Sequence, residues 1–82
     1  MDHQECYQHI DHLSLFYHYY AFLDTEEYLA DQLFIKHQVR VHFREEYARK
    51  DSQYRVIVCR VRKRDQTRFL AALEELPKKM LL

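Results

Sequence analysis

Glycine and tryptophan are absent from the 82 residues, proline occurs once and cysteine twice. Dinucleotide fingerprints, phosphate loops and nucleophile elbows place Gly where backbone meets a ligand or turns sharply. None of these can exist here in standard form. That removes most nucleotide-binding and hydrolase readings, and it leaves metal and general acid–base chemistry open. Cys6 and Cys59 are too few for a disulfide scaffold, so a reducing cytoplasm is the expected setting. Long apolar runs are missing too. The most apolar stretch, Leu13 to Leu23, is broken by Ser14 and His18 and is too short to span a bilayer. The opening Met1-Asp2-His3-Gln4-Glu5 is acidic and lacks the basic and apolar regions of a secretion signal. No membrane partner is expected.

What is present describes one globular domain over residues 1–82. Apolar residues make up 48% and charged residues 32%, and seven Tyr with five Phe supply large burial per residue. No internal repeat, low-complexity tract or linker divides the chain. From Asp2 to Phe22, Cys6, Ile10, Leu13, Phe16, Tyr17, Tyr20 and Ala21 recur at helical spacing. The periodicity predicts a first helix, apolar almost all round in its second half because Leu15, Tyr19, Phe22 and Leu23 lie on its other side. Asp24 or Thr25 reads as the cap of a second helix carrying Leu29, Ala30, Leu33 and Phe34 and ending near Lys36-His37.

Val39, Val41 and Phe43 alternate with Arg40, His42 and Arg44, the pattern of a half-buried strand. A second strand, Tyr54 to Lys63, carries Ile57, Cys59 and Val61 on one face. A three-residue loop, Lys50 to Ser52, would pair Phe43 with Cys59 and Val41 with Val61, keeping one apolar face. The alternative two-residue loop would set Arg44 opposite Cys59 and mix the faces. Asp65 caps a last helix with Phe69, Leu70, Leu73 and Leu76 as its buried stripe, and Pro77 ends or kinks it. The expected class is α+β, a small α-α-β-β-α domain with helices packed on one face of an antiparallel β-hairpin.

Charge is segregated although the total is neutral. Met1 to Phe34 holds seven acidic residues and no Lys or Arg, whereas Lys36 to Arg68 holds eleven basic residues and four acidic ones. The hairpin register places Arg40 opposite Arg62 and His42 opposite Arg60, with Arg44 beside them. Like charges facing across strands destabilise the pair, so an anionic partner is expected to offset them. With Lys63, Arg64 and Arg68 these residues form the candidate surface for nucleic-acid phosphate or an acidic protein. The aromatic residues lie mostly in the acidic half, so no basic–aromatic platform for stacking single strands is evident.

Other constellations are weaker. His3, Cys6, His9 and His12 recur every third residue, but such steps drift around a helix and cannot converge on one ion, so no metal or cofactor is expected. Cys59 lies on the apolar strand face, where a thiol is an inert hydrophobe, and Cys6 has no cationic neighbour to activate it. No catalytic site can be assembled, so the chain is not expected to be an enzyme. The first expectation is a small non-catalytic interaction or regulatory protein, homodimeric through Leu15, Tyr19, Phe22, Leu23, Val56 and Val58. The alternative is a nucleic-acid-binding module using the basic hairpin. A further alternative is an acidic, Tyr-rich inhibitor of a nucleic-acid-binding protein, of the kind phage and mobile elements encode, since Tyr suits interface hot spots.

Overall fold

A computed structural model describes residues 7–10, 15–48 and 53–77. Its elements are β1 (Tyr7–Ile10), β2 (Tyr17–Thr25), α1 (Leu29–Lys36), β3 (Val41–Ala48), β4 (Tyr54–Arg62), a 3₁₀ turn (Lys63–Asp65) and α2 (Gln66–Leu73). The four strands form one antiparallel sheet in the order β1-β2-β4-β3. The class is α+β, with both helices on one face of an antiparallel sheet that contains the expected β3–β4 hairpin. Topologically the chain is two hairpin-then-helix units joined through the central strands β2 and β4, a repeat that no residue pattern reveals.

The expected first helix is replaced by strands. Residues 17–25 form a central strand buried from both sides, so apolar residues run continuously and the alternation of a half-buried strand disappears. Tyr20 and Phe22 face the helices, at 1% and 0% exposure, while Ala21 and Leu23 are buried on the opposite face. Periodicity cannot separate such a run from a buried helix. The aromatic enrichment of Tyr17, Tyr19, Tyr20 and Phe22 favours the strand.

The core lies between the sheet and the two helices. Phe69 of α2 stacks on Phe34 of α1 with ring centres 5.2 Å apart, and sits 4.9 Å from Tyr20 and 6.3 Å from Phe22. Ile57, Cys59 and Val61 complete it from β4, and Leu73 and Leu76 from the end of the chain's last helical turns. Val39 and Val41 pack against its edge.

The helix α1 is closed at both ends without glycine. Asp24 is fully buried at the end of β2, and its carboxylate accepts the Ala30 N–H of α1 at 3.2 Å and the Thr25 N–H at 2.8 Å. It therefore satisfies a first-turn donor from outside the helix, while Tyr28 occupies the N-cap position at φ 56°. At the other end the Val39 N–H bonds to the Phe34 carbonyl and the Gln38 N–H to that of Ile35, a Schellman closure. Gln38 holds φ 57° there, where glycine is usual. Asp65 precedes α2 without capping it and instead pairs with Arg68.

The β3–β4 register differs from the expected one through a bulge. Val41 faces Val61 as predicted, but Phe43 faces Arg60 and Arg44 faces Cys59. His42 is the extra residue, so the pairing changes by one between Val41 and Phe43. The outcome is that Val41 stays on the core face, Phe43 turns outward at 37% exposure, and Arg44 turns toward the helices.

Candidate nucleic-acid interface

The sheet face opposite the helices carries no described helix or strand. Its composition follows from the registers. Tyr17 is opposite Arg62 and Tyr19 opposite Arg60, and Phe43 flanks Arg60 from the other side. Phe43, Arg60 and Tyr19 thus form one row across three strands, which Ile10 of β1 extends. Further along lie Val58 beside Ala21, and Val56 between Tyr47 and Leu23.

Guanidinium groups lie against rings at one end of this face. Arg60 sits 4.4 Å over the Tyr17 ring and Arg62 5.8 Å from it, and an Arg60 Nη donates to the Tyr19 hydroxyl at 3.5 Å. The His42 ring meets Tyr17 edge-on at 5.4 Å. Stacking shields the Nε atoms of Arg60 and Arg62 from solvent, and neither has a hydrogen-bond partner among the described residues. Burial, followed by the charges of Arg62, Arg40 and Arg60, holds the His42 imidazole below its ordinary 6.5, with Asp65 opposing weakly. The three arginines thus add to a lowering that burial leads.

Ion pairing separates the remaining cations. Arg44 pairs with Asp31 of α1, and its Nε lies 3.2 Å from Glu46 without hydrogen-bond geometry, an ionic contact only. Arg55 approaches Glu46 at 3.7 Å, and the Tyr28 ring lies within 5.8 Å of both guanidiniums. Lys36 pairs with Glu75 at 2.7 Å. Among the described residues Arg40, Arg60, Arg62, Lys63 and Arg64 pair with no carboxylate.

The expected basic surface is therefore divided. Arg40, His42, Arg60 and Arg62 come together at the basic end of the face opposite the helices, and Lys63 and Arg64 follow in the exposed turn after β4. Arg44 leaves the group, because the bulge carries it to the helix face. Arg68 is exposed on α2 and engaged by Asp65.

The expected self-association residues are divided as well. Phe22 and Leu23 are consumed by the protein's own core, at 0% and 2% exposure. Tyr19, Val56 and Val58 are half-buried on the face opposite the helices, and Leu15 is 82% exposed. The acidic, Tyr-rich helix that supported the inhibitor reading does not exist, since Tyr17, Tyr19 and Tyr20 belong to β2.

The sequence reading missed Tyr17 and Phe43 as site residues and found no basic–aromatic platform. Pairing β2 of the acidic half with β4 of the basic half creates one. The signal was the matching alternation of Tyr17, Tyr19, Ala21 and Leu23, obscured because the opposite face of the strand is also apolar.

The histidine pattern resolves differently. His3, Cys6 and His12 lie outside the described residues, and His9 sits on β1 with its Nε2 3.1 Å from His18 Nδ1. Among the described residues no three potential ligands gather to hold a metal. The Cys59 thiol, 1% exposed, is pushed up to about 12 by burial against a weaker opposing effect of Arg44, which suits an inert core position. No described helix is long and apolar enough to cross a membrane.

Among the described residues the fold defines the class of this molecule: a four-stranded antiparallel sheet with helices on one side and basic and aromatic residues on the other. No known protein family, curated protein or solved structure matches the chain.

Proposed function

We propose that the protein is a small, non-catalytic binding module that takes nucleic acid on the basic end of the sheet face opposite its helices. One observation carries the reading. Among the described residues the cations without carboxylate partners gather at that end, while the paired cations Arg44, Arg55 and Lys36 lie on the helix side. Leaving guanidiniums unpaired beside one another is unfavourable unless an anion completes them. Phosphate oxygens meet Arg in that way, and counterion release adds affinity. A regulatory role in the cytoplasm, with the Cys59 thiol reduced, accompanies this proposal.

The test is a shift or anisotropy titration with DNA and RNA over a range of salt. Wild-type protein is expected to bind at low salt, with affinity falling linearly on a log–log plot. Arg60→Glu with Arg62→Glu abolishes binding, and Arg40→Glu, at an exposed position outside the sheet, weakens it without touching the fold. A wild type that shifts no nucleic acid at low salt defeats the reading.

Self-association is the second reading, carried by the other half of the same face. There Tyr47, 52% exposed, neighbours the half-buried Val56, with Val58 next along β4. A two-fold contact on these residues leaves the basic end free.

A further inference from the structure

Resting on the second reading, self-association, we infer that two copies of this chain join edge to edge, β3 against β3, into one continuous antiparallel sheet. Among the described residues β3 is an outer strand whose one strand neighbour is β4. It is eight residues long, and Phe43, Glu45, Glu46, Tyr47 and Ala48 are exposed along it. An outer strand carries a row of N–H and C=O groups that no strand pairs, a template for another chain. Bulges commonly blunt such edges. The bulge of β3, however, stands at its start and leaves residues 43–48 in regular register.

The sequence of that stretch is complementary to itself. In a two-fold antiparallel pairing, each residue meets the one equally far beyond the axis. Paired side chains must also share a face, so the axis passes through a residue rather than between two. With the axis at Glu45, Phe43 faces Tyr47 of the second copy and Arg44 faces its Glu46. Symmetry makes each pair occur twice, giving two aromatic pairs on the face away from the helices and two ion pairs on the helix side. Phe43 is 37% exposed and Tyr47 52%, so both rings have surface left to bury.

Neighbouring registers do worse. An axis at Arg44 sets that arginine against itself and Phe43 against Glu45. An axis at Glu46 sets that glutamate against itself and Arg44 against Ala48. The favoured register keeps one like-charged pair, Glu45 with Glu45. Each of these carboxylates is exposed and accepts the Tyr47 hydroxyl of its own strand, so solvent screens the repulsion.

The experiment combines sedimentation, amide hydrogen exchange and native mass spectrometry on the full chain. Wild type is expected to dimerise at tens of micromolar, with alternate amides of β3 exchanging about tenfold more slowly than after dilution to monomer. Glu45→Thr tightens the dimer about tenfold. Glu45→Lys mixed with wild type gives the heterodimer in preference to either homodimer, because the substituted lysine then faces a glutamate. Val58→Glu adds a carboxylate directly opposite Glu45 on β4 and weakens the dimer under either contact. A dimer whose β3 amides exchange as in the monomer, or statistical mixing of Glu45→Lys with wild type, overturns this inference and leaves the face contact through Tyr47, Val56 and Val58 standing. A protein that stays monomeric at every concentration removes both.

Discussion

Asp24 shows how much one buried carboxylate settles. It ties the end of β2 to the first turn of α1, and its burial raises the carboxyl above the ordinary 3.8. The Thr25 and Ala30 N–H groups and Arg44 pull the other way without overcoming desolvation, and Asp31 adds to the rise. A raised carboxyl binds its proton more tightly in the folded state than in the unfolded chain. Its contribution to stability is therefore complete below 3.8 and is lost as pH rises through the raised folded value. Asp24→Asn removes this titration but keeps an acceptor for Ala30. Relative to that variant, wild type should gain stability as pH falls from neutral toward 3.8, read by urea unfolding at each pH. A difference that stays flat with pH contradicts the assignment. Asp24→Ala leaves two donors without an acceptor and should cost about 2 kcal/mol at neutral pH.

At the scale of elements, the bulge in β3 decides which arginines can meet a ligand. Without it Arg44 would join Arg60 and Arg62 on the face opposite the helices. With it, Arg44 reaches Asp31 and Glu46 and helps join the acidic hairpin–helix unit to the basic one. These partners are partly exposed, so the ion pairs are screened and modest. Arg44→Ala should lower stability by about 1 kcal/mol and leave nucleic-acid affinity unchanged, measured by chemical denaturation and anisotropy on the same preparation. Loss of affinity in a folded Arg44→Ala protein would return this residue to the binding surface. The hairpin itself was legible, because Ile57, Cys59 and Val61 alternate and all three are buried. The bulge was not, since no local residue marks it. It forms because it keeps Val41 against the core while giving Arg44 its carboxylates, a choice made across elements.

Over the whole molecule, the acidic and basic halves of the chain become two similar units clasped through β2 and β4. Cross-unit pairs, Arg44 with Asp31 and Lys36 with Glu75, neutralise part of the charge, and the remainder gathers at one end of the sheet. A four-stranded sheet with a two-helix layer has two strands and two helices beyond a lone hairpin to build a core, so a dimer is not needed to complete it. What still argues for self-association is Tyr47, 52% exposed, beside the half-buried Val56 on the face opposite the helices. Sedimentation at tens of micromolar should show a dimer that Val58→Glu converts to monomer, while nucleic-acid binding persists at the basic end. A wild type that sediments only as monomer ends the second reading.

Composition and local pattern determined the α+β class, the helix around Leu29–Lys36, the β3–β4 hairpin, the last helix and the list of cations. Each depends on neighbours a few residues apart, where periodicity, capping and alternation act. Tertiary structure alone decided that residues 17–25 are a central strand, since burial on both sides erases the pattern that would identify it. It also decided that Tyr17 and Tyr19, from the acidic half, stand beside Arg62 and Arg60 from the basic half. Strand pairing across some forty residues sets that contact, and its cause is the shared burial of Tyr20, Phe22, Ile57 and Cys59 beneath Phe69, a long-range packing term absent from any local stretch of the chain.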